Sequence, residues 1–211
     1  MFVPLSRRDL LEKCAAAGLL LLAPPLRVSG IASHFEEGAM APRKATPGNE
    51  LGPFYKKRAP RTDRLAPEAA PGLPLAVSGR VFDTRGAVQT GALLEIWHAS
   101  HAGIYDNQGY LYRGQLVAGD EGRYGFESVM PGHYPGRVAQ HVHFRVSAPG
   151  HAPLVTQLYF ATDPAFDGDP DRNYGKDPLV GSRELIRPVE IVGDPGVPRA
   201  LVSFELVLER A

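Results

Sequence analysis

The sequence predicts an all-β protein: a β-sandwich of mostly antiparallel strands with long irregular loops and an extended N-terminal arm. Three observations carry this. Short segments with apolar alternation recur from Leu75 to the C-terminus, separated by turn residues. Gly and Pro are frequent, 23 and 20 in 211 residues, enough to turn and interrupt the chain many times. Beyond the first 30 residues no segment shows the sustained 3.6-residue period of a long helix. The length suits one domain with extra N-terminal material and is ample for a sizeable core.

Composition excludes several functions. Lys+Arg and Asp+Glu both count 23, so the near-zero net charge gives no general grip on nucleic acid. The only cysteine is Cys14, which excludes a disulfide framework, an iron–sulfur cluster and a thiol nucleophile in the mature domain. Any metal must be held by His, Tyr, Asp or Glu.

Taken in order, residues 1–33 read as a twin-arginine signal peptide. Arg7-Arg8 precede an apolar run from Ala15 to Leu22 that is too short to span a bilayer comfortably but matches the apolar region of an export signal. The expectation is a periplasmic or secreted protein with no stable membrane span after cleavage. Residues 34–74, rich in Pro, Ala and charge, form the extended arm. Within it Thr46-Pro47-Gly48-Asn49-Glu50-Leu51-Gly52-Pro53-Phe54-Tyr55 combines a turn with two aromatics able to pack on a sheet.

Residues 75–211 form the sandwich domain. Leu75, Val77 and Val81 alternate and end at a turn over Asp83–Gly86. Ala92–His98 is apolar enough to be a central strand. Arg123–Glu127 follows a Glu121-Gly122 turn. A strand around His141–Ser147 and another over Leu154–Ala161 come next. An Asp-, Gly- and Pro-rich irregular stretch covers Thr162–Gly181. A last strand runs from Ala200 to Glu209, with Val202, Phe204, Leu206 and Leu208 facing in.

The chemistry centres on Gln140-His141-Val142-His143-Phe144-Arg145-Val146-Ser147. In an extended strand Val142, Phe144 and Val146 share one face, and His141, His143, Arg145 and Ser147 the other. Two imidazoles at i and i+2 on a core-anchored ribbon suit a metal ion. They equally suit a half-buried strand with a polar outer face, and the pair alone leaves both readings open. Tyrosines then crowd the sequence between the second strand and this one: Tyr105, Tyr110, Tyr112, Tyr124 and Tyr134. Tyr105 and Tyr134 sit on Gly/Pro-shaped loops, Ala102-Gly103-Ile104-Tyr105-Asp106 and Pro131-Gly132-His133-Tyr134-Pro135. A phenolate is a hard anionic oxygen suited to Fe(III).

These motifs occur in one order: Leu94-Glu95-Ile96-Trp97-His98-Ala99, Gly103-Ile104-Tyr105, Tyr112-Arg113-Gly114, Asp120–Tyr124, Pro131–Pro135, His141-Val142-His143-Phe144 and Thr156-Gln157-Leu158-Tyr159-Phe160. Together they resemble the intradiol ring-cleavage dioxygenases, nearest the protocatechuate 3,4-dioxygenase branch, over most of residues 46–209. The resemblance implies a β-sandwich and a mononuclear non-haem Fe(III) held by Tyr105, Tyr134, His141 and His143. It implies cleavage of a catechol between its hydroxylated carbons with O2, giving a cis,cis-muconate-type diacid. Tyr134 is then the ligand that leaves the metal and takes up a substrate proton, and Gln157 lines the substrate pocket. The helical dimerisation domain of catechol 1,2-dioxygenases has no counterpart here, and no oligomeric state follows.

Two departures stand out. Where the family has an arginine three residues before its first histidine, this chain has Val138, and Arg137 comes one residue earlier in a shortened segment. The expectation is that this loop bulges so that Arg137 enters the pocket as the catalytic and substrate-binding cation, with Arg113 and Arg145 as alternatives. The aromatic residue that often follows the Tyr-Pro pair is Gly136, which opens the pocket. The rival functions are a non-catalytic catechol- or siderophore-binding protein on the same fold and a metal-free transthyretin-like or carbohydrate-binding sandwich.

Overall fold

The computed structural model describes residues 41–194 and 196–211. The twin-arginine signal expected over residues 1–33 lies outside them. Residues 41–73 contain no helix and no strand beyond isolated bridges. The strands that follow are β1 (Pro74–Asp83), β2 (Leu93–Trp97), β3 (Arg113–Val117), β4 (Arg123–Val129), β5 (His141–Ser147), β6 (Leu154–Phe160), β7 (Ile186–Arg187), β8 (Glu190–Val192), β9 (Arg199–Ser203) and β10 (Leu206–Leu208). The one α-helix among the described residues, α1 (Pro170–Asn173), is a single turn. No helix among them is long and apolar enough to cross a membrane.

The strands form two five-stranded sheets. In the first, β1 pairs antiparallel with β4 and parallel with both β9 and β10, and β8 adds to β9. The second runs β3-β2-β5-β6-β7, antiparallel except for β6–β7. The architecture is the expected all-β sandwich, with both sheets mixed.

Alternation along the strands builds the core. Leu75, Val77 and Val81 of β1, Phe126 of β4, and Val202 and Leu206 near the C-terminus join Leu94 and Ile96 of β2, Val142, Phe144 and Val146 of β5, and Leu158 and Phe160 of β6 in one buried cluster. Phe144 sits at its centre, with ring centroids 5.4 Å from Phe204, 6.1 Å from Phe126 and 6.3 Å from Tyr124. Such offset and edge contacts suit the aromatic quadrupole.

Three features differ from the sequence expectation. The strand over Ala200–Glu209 is divided into β9 and β10, although both keep one register against β1 (Ser78 opposite Ser203, Val81 opposite Leu206). The Phe204 carbonyl at the break accepts the Tyr124 hydroxyl at 2.5 Å. The inward positions of Val202, Phe204, Leu206 and Leu208 hold, since all four are buried. Strand β3 has no signature because Arg113 and Gly114 are both buried at its start, which breaks the alternation. Finally, the histidine face of β5 is closed at its start: His141 and His143 are buried, while Arg145 and Ser147 stay partly exposed.

Candidate metal centre and active site

The site lies on the face of the second sheet turned away from the sandwich core. Strand register places its parts. His143 is opposite Trp97 of β2 on one side and Gln157 of β6 on the other, and His141 is opposite Tyr159. Neighbouring residues across a ladder present side chains to the same face, so one row reads Trp97–His143–Gln157. The Trp97 ring stacks on the His143 imidazole at 4.9 Å, within 5° of parallel.

The two loop tyrosines arrive by a reciprocal contact between their loops. A side chain at Gly103 would place its Cβ 1.9 Å from the His133 carbonyl oxygen, and one at Gly132 would place it 2.2 Å from that of His101. Only residues without a Cβ let the loops interlock, and the Gly132 amide then donates to the Ser100 carbonyl at 2.8 Å. The result brings the Tyr105 and Tyr134 hydroxyls to 3.5 and 3.2 Å from one atom, His141 Nε2. Tyr105 is buried and lies under Phe54, stacked at 4.0 Å and 11°. Tyr134 is only partly buried and lines the cleft.

Both imidazoles are held neutral. His141 Nδ1 lies 2.8 Å from the Ala139 carbonyl, which can only accept, so the proton sits on Nδ1 and the Nε2 lone pair faces the tyrosines. Burial, reinforced by the Arg137 charge, lowers the His141 pKa to about 3. Burial also pushes His143 well below the ordinary histidine range, with His141 and Arg137 adding to the effect. His143 Nδ1 is buried with no hydrogen-bond partner. Burial raises the Tyr105 phenol, followed by its neighbour Tyr134, so it holds its proton unless a strong positive charge takes its place. Two phenol oxygens and two neutral imidazoles make a donor set that fits a hard trivalent cation. Among the described residues no three His, Cys, Asp or Glu side chains group together, so a metal here needs the tyrosines.

A cleft of about 300 Å³ opens beside these groups, bordered by Gly52, Phe54, Tyr134, Arg137, His143 and Leu179 among others. A larger groove of about 580 Å³ between Lys44–Gly48 and Ala152–Val155 contains none of the candidate residues. Arg137 does reach the cleft. Its loop closes as a tight turn, with the Arg137 amide donating to the Tyr134 carbonyl at 3.1 Å and Gly136 at φ +87°. Pro then Gly at the two central positions is the signature of a type II turn, which needs positive φ at the second. Gly136 is therefore what lets the shortened segment bring Arg137 round. The guanidinium Nη2 donates to Gln157 Oε1 and to the Tyr159 hydroxyl, both at 2.9 Å.

Gln157, expected to line the pocket, is fully buried and does not itself border the cleft. Its Nε2 donates to Asn49 Oδ1 at 3.2 Å and to the Glu50 carbonyl at 2.9 Å. The alternative cations are committed elsewhere. Arg145 pairs with Glu95 at 2.5 Å, and Arg113 donates to the Phe54 carbonyl at 2.9 Å beneath the Tyr105 ring. Tyr110 donates to the Lys57 carbonyl, Tyr112 packs against His98, and Tyr124 belongs to the core, so these three tyrosines stay out of the site.

Sequence reasoning missed two buried aspartates, Asp163 and Asp177, which hold the segment between Tyr134 and His141. Asp163 accepts from the Gln140 amide at 2.5 Å and contacts His133 Nε2 at 2.9 Å. Asp177 accepts from the Ala139 amide at 3.0 Å. Both come from the irregular Asp-rich stretch, where nothing local separates them from the exposed Asp167 and Asp171.

Comparison with known proteins agrees with this arrangement. A family model described as "Dioxygenase" matches residues 51–210. A chlorocatechol 1,2-dioxygenase of Rhodococcus opacus is 33% identical over 187 residues, covering 75% of this chain and 70% of that protein. A hydroxyquinol 1,2-dioxygenase of Rhizobium sp. is 33% identical over 153 residues, and the match spans 52% of its length. The solved dioxygenase domain of a dioxygenase–carbohydrate-binding protein fusion from Streptomyces sp. SirexAA-E superposes with a TM-score of 0.69 at 34% identity, over 80% of this chain and 100% of that domain. Across family model, relatives and fold, the chain belongs to the intradiol ring-cleavage dioxygenases.

Proposed function

We propose that this protein is an Fe(III)-dependent intradiol dioxygenase that opens a catechol-type ring between its two hydroxylated carbons with O2, yielding a cis,cis-muconate-type diacid. The observation that carries the reading is the convergence of Tyr105, Tyr134, His141 and His143 beside a cleft with the Arg137 guanidinium on its wall. In this reading those four residues hold a mononuclear non-haem iron. Bound there, Fe(III) supplies a Lewis acid and a template for catecholate and O2 without an external reductant.

The chain's own groups divide the remaining work. Tyr105, buried under Phe54, is the fixed phenolate. Tyr134, partly exposed on a turn at the mouth of the cleft, is in this reading the phenol that moves, and its Oη takes one of the two catechol hydroxyl protons. Arg137 faces the ring and stabilises the negative charge that develops on it, a role that preorganised donors perform best. Gln157 accepts from Arg137 while its own amide is held by the arm, so it keeps the guanidinium on the cleft wall.

The ring substituent is the finer question. The motifs resemble the protocatechuate branch, whereas the relatives above are named for chlorocatechol and hydroxyquinol. Gly136 leaves the cleft open on one side, which favours a substituted ring. The test is a panel of catechol, chlorocatechol, hydroxyquinol and protocatechuate on iron-loaded protein, with O2 uptake and product identification. The expected result is a burgundy protein with a phenolate-to-iron band and a ring-opened diacid from at least one member. A colour shift without turnover across the panel would leave a catechol-binding protein instead, and a colourless iron-loaded protein would reject the metal assignment.

Residues 1–33 are proposed to direct folded, loaded protein through the twin-arginine route to the periplasm or beyond. Replacing Arg7 and Arg8 together by lysine should retain the protein in the cytoplasm. Unchanged export would remove that proposal.

A further inference from the structure

Of the two buried carboxylates that hold the short segment carrying Arg137 and His141, Asp177 is the one that faces Arg137. Asp177 is 2% exposed. Its Oδ1 accepts from the Leu179 amide at 2.9 Å, and its Oδ2 accepts from the Ala139 amide at 3.0 Å. The same Oδ2 lies 3.5 Å from Arg137 Nε, and both side chains are shielded, at 2% and 8% exposure. Arg137 Nε makes no hydrogen bond of its own, so this carboxylate is its only counter-charge among the described residues.

The Asp177 contacts join three parts of the site. Through Arg137 it holds the guanidinium whose Nη2 meets Gln157 and Tyr159. Through the Ala139 amide it fixes the peptide whose carbonyl accepts from His141 Nδ1 at 2.8 Å. Through the Leu179 amide it fixes a residue that borders the cleft. A guanidinium held only at Nη2 by Gln157 and Tyr159 can still pivot, and an ionic contact at Nε restrains that freedom. Asp177 is also costly to bury unless paired, since an isolated carboxylate inside a protein carries a large desolvation penalty. Its position is hard to explain by packing alone.

We infer that Asp177 is the positioning residue of this site: its carboxylate aims Arg137 at the substrate ring and ties that aim to the backbone that orients His141. This rests on the dioxygenase reading for its effect on turnover, but not for the clamp itself.

A double-mutant cycle with Arg137 tests it, because residues that act through one another are non-additive. Arg137→Met should lower kcat by roughly 100-fold, the range for losing one preorganised donor. Asp177→Asn should lower kcat about tenfold in the wild-type background, with a smaller change in KM, and by less than about twofold in the Arg137→Met background. An equal fall in both backgrounds, or no fall in the first, overturns the inference. Should Asp177→Asn not fold, Asp177→Glu, which keeps the charge but displaces it, replaces it in the same cycle.

A second readout uses the metal-free protein and needs no turnover. Arg137 should give a slowly exchanging Nε–H resonance, identified by its loss in Arg137→Met. In Asp177→Asn that resonance should move toward the free-arginine position and exchange faster. An unmoved, still protected resonance overturns the clamp. Absence of ring cleavage by wild-type protein would instead count against the dioxygenase reading and leave the resonance to decide the clamp.

Discussion

At the scale of single residues, the two tyrosines carry the same functional group in different surroundings. Tyr105 is buried, stacked on Phe54 and underlain by the Arg113 guanidinium, 5.8 Å from its ring. Tyr134 is partly exposed and leads from an interlocked glycine loop into the tight turn at the cleft mouth. A fixed phenolate beside a buried cation is the better anchor, and a phenol at the cleft mouth is the better proton carrier. Tyr105→Phe is therefore expected to abolish iron retention and the visible band. Tyr134→Phe should keep bound iron with a weakened, shifted band while kcat falls roughly 100-fold or more, because it removes a proton acceptor. Iron stoichiometry, the visible spectrum and kcat on purified variants check the contrast. Equal loss of iron in both would mean that the two tyrosines share one role.

At the scale of elements, the strand pattern was largely readable because apolar residues recur with the two-residue period in β1, β4, β5 and the C-terminal strands. It was unreadable where that period fails. Strand β3 opens with a buried arginine and a glycine, and β7 and β8 are two and three residues long. Of the candidate site, the histidines were legible as an i, i+2 pair on a strand, and Tyr105 and Tyr134 stood out by their Gly/Pro-shaped loops and the family resemblance. Asp163 and Asp177 were not, since what distinguishes them is where a loop without periodicity comes to rest.

Another buried group, His98 just past β2, links its element to pH. Its Nδ1 lies 2.7 Å from the Ala99 carbonyl, and the Ser128 hydroxyl of β4 is 2.8 Å from its Nε2. The Tyr112 ring lies beside it, and the positive charge nearby is Arg113. Burial lowers its pKa to about 4 from 6.5, with Arg113 adding to the fall. The unfolded chain then binds the proton more readily, so this contribution to stability is full above pH 6.5 and is lost as pH falls toward 4. The loss is about 3 kcal/mol over that window. His98→Leu should start less stable at neutral pH but lose about 3 kcal/mol less between pH 7 and 4 than wild type. Denaturant melts at the two pH values measure this, and the other buried histidines cancel in the difference. Parallel losses in both proteins would show that His98 is not the titrating group.

At the scale of the whole molecule, the sandwich and the site depend on different parts of the chain. The inter-sheet core cluster contains no residue from 41 to 58. The site, in contrast, is roofed by that segment. Thr46 exchanges hydrogen bonds with Val207 near the C-terminus, while the Asn49 amide donates to Val155 of β6, so the segment crosses from one sheet to the other. Asn49 then donates to the Leu179 and Val180 carbonyls at 2.8 and 3.2 Å and accepts from Gln157, and Phe54 covers Tyr105. Asn49 is the keystone of this roof, since its side chain bonds to both β6 and the loop that carries Asp177.

Replacing Asn49 by alanine leaves the Gln157 amide and the Leu179 carbonyl short of partners in a buried place, which should lower stability by about 1–3 kcal/mol. Deleting residues 41–58 goes further. It should leave a cooperatively melting β-protein with its far-UV signature intact, because the core is untouched. It should also strip the visible iron band, because Tyr105 and Gln157 lose their cover. Circular dichroism melts paired with iron content on the same samples separate the two effects. Loss of cooperative folding on deletion would show that the segment belongs to the sandwich itself, and full iron retention would show that the site stands without its roof.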